Sequence, residues 1–158
     1  IIIASGTTVL AFARCIPPEA QLTVLTSAMN VAMALLNCQQ VEVIQLGGIV
    51  RHTSSSVTGE YALRMLENLS GTKLFLGVDG IDLKYGLTTT NFMEASVNRA
   101  MIDAAQKIIV LTDSSKFGRR GFGKICELDA VDQIITDSGV SPKVVRELEE
   151  LGIKVSIV

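Results

Sequence analysis

The stretch "IIIASGTTVLAFARCIPPEAQLTVLTSAMN", residues 1–30, decides the fold class. Two brief apolar runs, Ile1–Ile3 and Leu22–Leu25, each lead through a small polar loop into a segment with apolar residues at three- and four-residue spacing. Such runs are typical of strands buried on both faces, and the spacing is typical of amphipathic helices. The stretch therefore predicts two successive strand–helix units.

The same alternation continues to the end of the chain. Further strands are predicted at Val41–Leu46, Leu74–Val78, Ile108–Leu111, Gln133–Ile135 and Val155–Val158. Helices are predicted at Thr8–Cys15, Ala28–Asn37, Gly59–Leu69, Phe92–Ala105 and Pro142–Leu151, and long loops at Arg51–Thr58 and Arg119–Lys124. This order predicts one α/β domain, residues 1–158, in which a mostly parallel sheet has helices on both faces.

The composition limits the function classes. Apolar residues make up 48% of the 158, which fits one ordered globular domain, and no apolar run is long enough to span a membrane. Fourteen Lys and Arg against sixteen Asp and Glu give a net charge of -2, so the chain offers nucleic acid no global positive field. The three cysteines are odd in number and form no C-x-x-C pair, so we expect no disulfide framework, no metal and a reducing cytoplasm. We also expect no cofactor.

Polar residues collect in four loops that follow predicted strands, where open α/β sheets bind ligands. The residues of these loops are Ser5, Gly6, Thr7 and Thr8; Thr26, Ser27 and Asn30; Asp79, Gly80, Asp82, Thr88, Thr89, Asn91 and Glu94; and Lys116. The free amides and positive helix end of the first loop could hold an anion, although S-G-T-T is also an ordinary turn with a helix cap. Capping is the simpler interpretation of the second loop.

Two of these loops leave alternatives open. Asp79 and Asp82 could act as acid and base, bind sugar hydroxyls or cap a turn, because D-G is a turn signal whatever the ligand. The segment "TDSSKFGRRGFGKI", residues 112–125, could hold a phosphate, contact nucleic acid or form a solvated turn. Its basic patch at Arg119 and Arg120 is short and has no partner helix, which disfavours direct nucleic-acid binding.

The order of the motifs resembles a known family. S-G-T-T and T-S-x-x-N are followed by "GGIVRHTSSSVTGEYA" (47–62), "GVDGID" (77–82), "GLTTTN" (86–91), "EASVNRAMI" (94–102) and "VLTDSSKFG" (110–118). Over nearly the whole chain this resembles the C-terminal effector domain of DeoR-family bacterial transcription repressors. The resemblance implies a fold similar to ribose-5-phosphate isomerase and a ligand that is a phosphorylated sugar or related metabolite. It also implies a helix-turn-helix module upstream of Ile1, through which alone the protein would contact DNA.

The resemblance also implies roles for the loop residues. Ser5 to Thr8, with Thr88 to Asn91, would hold the phosphate; Asp79, Asp82 and Glu94 would bind hydroxyls, and Lys116 would supply positive charge. The isomerase has a lysine near the position of Tyr85, beside Lys84. This chain lacks that lysine and the glycine run that follows it, so we expect the site to bind its ligand without isomerising it. The alternative is a sugar-phosphate isomerase-like enzyme. A second departure is Ala4, where the family usually has an acidic residue.

The remaining expectations concern assembly and motion. The apolar composition and the resemblance suggest a homo-oligomer, with no membrane partner. The segments Arg51–Thr58 and Lys116–Lys124 are rich in Ser, Gly and Arg and follow strands, so we expect one or both to close over the ligand.

Overall fold

The computed structural model describes residues 1–158, which form twelve β-strands and five α-helices. The strands are β1 (Ile2–Ile3), β2 (Leu22–Thr26), β3 (Val41–Gln45), β4 (Ile49–Arg51), β5 (Ser56–Thr58), β6 (Leu74–Leu76), β7 (Gly80–Asp82), β8 (Gly86–Thr89), β9 (Ile108–Leu111), β10 (Gly123–Cys126), β11 (Gln133–Thr136) and β12 (Lys154–Ile157). The helices are α1 (Thr7–Arg14), α2 (Met29–Leu35), α3 (Glu60–Leu66), α4 (Phe92–Asp103) and α5 (Pro142–Glu150). Short 3-10 turns lie at Ser114–Lys116 and Leu128–Ala130.

Seven strands form one parallel sheet in the order β12-β11-β9-β6-β1-β2-β3. The predicted mostly parallel sheet is therefore confirmed. From β1 the chain builds outward through β2 and β3, then returns to β6 on the other side of β1 and continues through β9, β11 and β12. The strand order thus reverses between β1 and β6, which is the point where an open α/β sheet has its ligand crevice.

Helices cover both faces of this sheet, as predicted. Adjacent residues of each strand point to opposite faces, so one strand can contribute apolar side chains to both. Ile2 belongs to a cluster of 23 buried apolar residues that includes positions on α3, α4 and α5. Ile3 belongs to a second cluster, of 12 buried residues, with Val9 on α1 and Val31 on α2. The central strand β1 therefore connects two apolar layers.

Two small antiparallel sheets were not predicted. One has the order β10-β8-β7 and the other is the hairpin of β4 and β5. The predicted loop at Arg51–Thr58 is wrong in part, since it contains the end of β4 and all of β5, and the loop at Arg119–Lys124 runs into β10. These strands have three or four residues and no apolar run, so pairing with neighbouring strands, rather than their own residue pattern, decides their conformation.

Candidate functional site

A cavity of about 400 Å³ opens beside the reversal of strand order, at the carboxyl ends of β1, β6 and β9. Only two of its twenty lining residues, Val78 and Leu111, are hydrophobic. The others carry hydroxyl, amide, carboxyl or cationic groups or are glycines. The cavity is therefore suited to a small ligand that offers many hydrogen-bonding groups.

The loops after β1 and β6 pack directly against each other at the floor of the cavity. A Cβ atom on Gly77 would lie 2.7 Å from the carbonyl oxygen of Ser5 and 3.1 Å from a methyl of Val9, so only glycine allows this approach. Gly6 has φ 139°, a backbone conformation that side chains disfavour. The two glycines bring the start of α1 next to the end of β6.

The start of α1 has free polar groups that face the cavity. Gly6 is its N-cap and makes no side-chain hydrogen bond to the helix, and the first turn contains no acidic residue. The first N–H groups of a helix have no partner within the helix, and the macrodipole places partial positive charge there. With the hydroxyls of Thr7 and Thr8 on the cavity wall, this end of α1 has the groups that an anion requires.

Glu94 on α4 ties the β4–β5 hairpin to the cavity wall. Its side chain is 9% exposed; Ser56 Oγ donates to its Oε1 at 2.9 Å, and Arg51 Nε lies 3.4 Å from its Oε2. Arg51 Nη2 also donates to Thr53 Oγ1 at 3.0 Å. The hairpin thus places Arg51 and the residues Thr53, Ser54 and Ser55 on the cavity.

Asp79 joins the loop after β6 to the end of β8. Its Oδ2 accepts hydrogen bonds from Thr89 Oγ1 at 2.8 Å and from the Thr90 N–H at 2.9 Å. These contacts fix a carboxyl group on the cavity wall together with the hydroxyl side chains of Thr89 and Thr90.

Asp113 and Lys116 come from the loop that follows β9. Asp113 Oδ1 accepts a hydrogen bond from the Ser115 N–H at 2.9 Å, and hydrogen bonding from Ser115 holds the pKa of Asp113 below its usual value. Asp137 accepts from the Ser114 N–H at 2.7 Å, and this contact likewise lowers the pKa of Asp137. The two carboxylates fix the 3-10 turn that places Lys116 on the cavity.

The structure brings nine of the fifteen predicted residues together on this cavity. They are Ser5, Gly6, Thr7, Thr8, Asn30, Asp79, Thr89, Glu94 and Lys116. The other six do not line it: Thr26, Ser27, Gly80, Asp82, Thr88 and Asn91.

Hydrogen bonds to backbone groups explain why most of these six residues lie outside the cavity. Thr26 Oγ1 accepts from the Ala28 N–H at 3.0 Å, and the Ser27 carbonyl accepts from Val57 at 2.9 Å. Thr88 is buried in the small sheet, where its Oγ1 donates to the carbonyl of Gly80 at 3.2 Å. Asn91 caps α4 through Met93 and Glu94 N–H groups at 2.9 and 3.1 Å.

Asp82 lies at the opposite end of β7 from Asp79, in the three-stranded sheet of β7, β8 and β10. It accepts from the N–H groups of Lys84 and Tyr85, and Arg120 Nε lies 2.8 Å from its Oδ2. The hydrogen bond from Arg120, helped by the backbone of Lys84, lowers the pKa of Asp82 to about 2. Neither Lys84 nor Tyr85 lines the large cavity, so the turn where the isomerase lysine was expected lies outside it.

Sequence reasoning missed several residues of the cavity as site residues. Arg51 and the hydroxyls at 53–55 lie in a segment interpreted as a closing loop. Asn98 also lines the cavity, and its position four residues after Glu94 places it on the same face of α4, a signal that could have found it.

The structure also bears on other classes of site. No group of three or more His, Cys, Asp or Glu side chains is arranged to hold a metal ion. None of the five helices has the length and apolar character needed to cross a bilayer.

Comparison with known proteins shows the family. The model described as "DeoR C terminal sensor domain" matches residues 1–138. The "Putative aga operon transcriptional repressor" of Escherichia coli O157:H7 is 41% identical over 158 residues, which is 100% of this chain and 59% of that protein. The "Uncharacterized HTH-type transcriptional regulator YulB" of Bacillus subtilis (strain 168) is 37% identical over 158 residues, 100% of this chain and 61% of that protein.

A third relative is the "Glycerol-3-phosphate regulon repressor" of Escherichia coli (strain K12), 27% identical over 152 residues, which is 96% of this chain and 60% of that protein. The chain thus spans about three-fifths of the length of these relatives. The polar cavity lies within the matched residues, and the relatives are transcriptional regulators. The chain belongs to the DeoR family of transcriptional repressors, and it corresponds to the C-terminal sensor domain of that family.

Proposed function

We propose that the cavity binds a phosphorylated sugar or related metabolite, and that binding modulates how a helix-turn-helix module outside this chain contacts DNA in the cytoplasm. The observation that carries the proposal is the start of α1, which has no side-chain cap and no acidic residue and opens into an almost wholly polar cavity. A helix start of this kind favours a phosphate group. The volume of about 400 Å³ lies within the range of about 300–1,000 Å³ typical of small-molecule sites.

The two ends of the ligand have different partners in this proposal. The N–H groups and hydroxyls of Thr7 and Thr8 take the phosphate, with Lys116 supplying a full positive charge. Asp79, Asn98 and the hydroxyls of the β4–β5 hairpin accept or donate hydrogen bonds to the sugar. A site built to hydrogen-bond hydroxyl groups discriminates strongly against ligands that lack them, because its own polar groups are then left unpaired.

Binding without turnover is favoured by what Glu94 contacts. A general base must be within hydrogen-bond reach of the proton it removes. Glu94 is already engaged by Ser56 and Arg51, and no lysine other than Lys116 lines the cavity. The regulator names of the relatives support the same conclusion, and one of them is named for a glycerol phosphate regulon.

The test combines a thermal-shift screen with a turnover assay. Pentose phosphates, hexose phosphates and glycerol 3-phosphate are each compared with the parent compound that lacks phosphate, and with inorganic phosphate alone. A ligand at about one hundred times its Kd adds about 2.7 kcal/mol to the free energy of unfolding, which raises Tm by roughly 5–10 °C in a chain of this size. We expect that rise for at least one phosphorylated compound and for none of the parents.

Two results would contradict the proposal. Equal stabilisation by a phosphorylated compound and its parent would remove the role of the phosphate. Conversion of an aldose phosphate to a ketose phosphate would favour the isomerase-like alternative. In a chain that includes the DNA-binding module, coupling of about 1–3 kcal/mol would change operator affinity by roughly 5- to 150-fold.

A further inference from the structure

A second cavity, of about 270 Å³, lies between the small antiparallel sheet and α5. We name its apolar part the socket; it consists of Ile81, Leu83, Phe117 and Val144. Its volume falls below the range of about 300–1,000 Å³ typical of small-molecule sites. A cavity of this size and lining is suited to a single large apolar side chain.

Two of the three charged residues at the rim of the socket, Asp82 and Arg120, are matched within the chain, and the third is Lys84. Arg120 Nε and Asp82 Oδ2 lie 2.8 Å apart. The Arg120 guanidinium carbon also lies 4.9 Å from the centre of the Tyr85 ring. Covering this rim therefore leaves neither of these two charges without a partner, which lowers the cost of burying charged groups in an interface.

Phe122 lies two residues after Arg120 and is 84% exposed. The backbone on both sides of it is fixed. The Gly121 N–H donates to Thr88 Oγ1 at 2.8 Å, and Gly123 pairs with Thr89 in the small sheet. Phe122 is therefore held in a defined position.

The flanking glycines explain the direction of the Phe122 side chain. A Cβ atom on Gly123 would lie 2.9 Å from the Asn91 carbonyl oxygen and 3.0 Å from the Ala95 Cβ, so this side of the segment packs closely on α4. In an extended segment successive side chains point to opposite sides. The residue between the two glycines consequently points outward, away from the chain's own core.

We propose that Phe122 of one copy of this chain enters the socket of a second copy, and that the second copy's Phe122 enters the first socket. One surface of the chain carries both the protruding Phe122 and the socket. Within the chain, Phe122 enters no pocket and no side chain fills the socket. A two-fold dimer uses the same surface on both subunits, so a surface with a protruding side chain next to a matching cavity is self-complementary. Aromatic side chains seated in apolar pockets commonly dominate the affinity of such interfaces.

The first experiment measures self-association of the 158-residue chain and its variants by light scattering over a concentration series. Phe122→Ala removes the protruding side chain, and Met33→Ala serves as the control, because Met33 is 66% exposed on α2, which packs on the opposite face of the sheet. Loss of one aromatic anchor typically weakens association by about 30-fold, and a two-fold dimer of Phe122→Ala loses two such contacts, which gives a loss of roughly 900-fold. We expect that loss for Phe122→Ala and wild-type association for Met33→Ala.

The second experiment separates a lost contact from a misfolded variant. Val144→Trp fills the socket, so it and Phe122→Ala each self-associate weakly. Mixed together, the Phe122→Ala chain supplies an intact socket and the Val144→Trp chain supplies an intact Phe122. We expect the mixed pair to associate about 30-fold more tightly than either variant alone, since one contact is restored.

Three outcomes would overturn the proposal. They are a wild-type mass of one chain at every concentration, unchanged self-association of Phe122→Ala, and no gain on mixing the two variants. None of them depends on the effector or on the large cavity.

Discussion

At Gly6 the backbone conformation and the function proposed for it coincide. Its φ of 139° lies where side chains are disfavoured, and a Cβ there would meet the Gly77 Cα at 3.6 Å, an ordinary contact distance. A substitution at Gly6 therefore combines backbone strain with a side chain near the proposed phosphate. Separating these two effects requires two substitutions of the same shape.

We expect Gly6→Asp to lose the stabilisation by the phosphorylated ligand that Gly6→Asn retains in part. Both variants carry the same strain, but only aspartate places a negative charge beside the phosphate. Two like charges about 4 Å apart repel by roughly 1–4 kcal/mol between bulk water and a protein surface, so the aspartate variant should bind at least about 5-fold more weakly than the asparagine variant. Calorimetric titration measures the ratio, and equal affinities would mean that the anion binds elsewhere.

The Asp82–Arg120 pair gives a prediction about pH. Hydrogen bonding from Arg120 lowers the pKa of Asp82 to about 2, well below its ordinary value. Because the folded-state pKa is depressed, the stabilising contribution is complete above the unfolded value and is lost as pH falls through the folded one. In Arg120→Met the carboxyl resonance of Asp82 should titrate at a higher pH than in the wild type. Identical NMR titration curves would show that Arg120 does not set this pKa.

Among the elements, α4 joins one wall of the large cavity to the β4–β5 hairpin. Asn91 caps it, Glu94 in its first turn ties down the β4–β5 hairpin, and Asn98 one turn later lines the same wall. The helix also packs on α3 and on β10. A change at its first turn is therefore transmitted to the ligand site.

We expect Asn91→Ala to lower both stability and ligand affinity. Loss of a helix cap typically costs about 1 kcal/mol, or roughly 2–4 °C in Tm for a chain of this length. Ser141→Ala is the matched control, since Ser141 caps α5 through the Lys143 N–H at 3.3 Å and lies outside the large cavity. Both variants should lose stability, and only Asn91→Ala should bind the ligand more weakly. Equal ligand affinity in the two variants would show that the position of α4 does not affect ligand binding.

The elements that sequence predicted are those whose apolar pattern reflects burial in the main sheet. β9 was predicted with its observed bounds, and the ends of the other six main strands differ by one or two residues. Strands such as β7 and β10 could not be predicted, because their three or four residues form no apolar run, and β10 pairs with β8 across the intervening α4 and β9 in the sequence. The position of Asp82 outside the cavity could not be predicted either, since it depends on the small sheet of β7, β8 and β10.

At the scale of the whole molecule, the reversal of strand order between β1 and β6 places the large cavity, and the hairpin covers part of it. The hairpin is tied to α2 by the Met29 N–H and the Ser55 carbonyl at 2.8 Å, and to α4 through Ser56 and Glu94. Lys116–Lys124 is tied to β7 by the Gly118 N–H and the Ile81 carbonyl, also at 2.8 Å. Hydrogen bonds therefore anchor both segments to the fold, and either segment can move toward a ligand while these anchors are kept.

We expect amide hydrogen exchange in Arg51–Thr58 and Lys116–Lys124 to slow when a phosphorylated ligand is bound. A sensor must bind its effector with different affinity in two states, because a ligand that binds both equally shifts nothing. Closure of these segments over the ligand would supply that difference. Protection confined to the main sheet would rule out closure and leave a rearrangement between copies of the chain as the route to the proposed DNA-binding module.

The most direct test of the central claim is an NMR titration of the ¹⁵N-labelled chain with the best phosphorylated compound from the screen and with its parent compound that lacks phosphate. The account predicts that the phosphorylated compound shifts the amide resonances of Gly6, Thr7 and Thr8 and of the loop that carries Lys116, while the parent leaves those of the first loop unchanged. Saturable binding with no change at residues 6–8, or with changes confined to the socket, would contradict it.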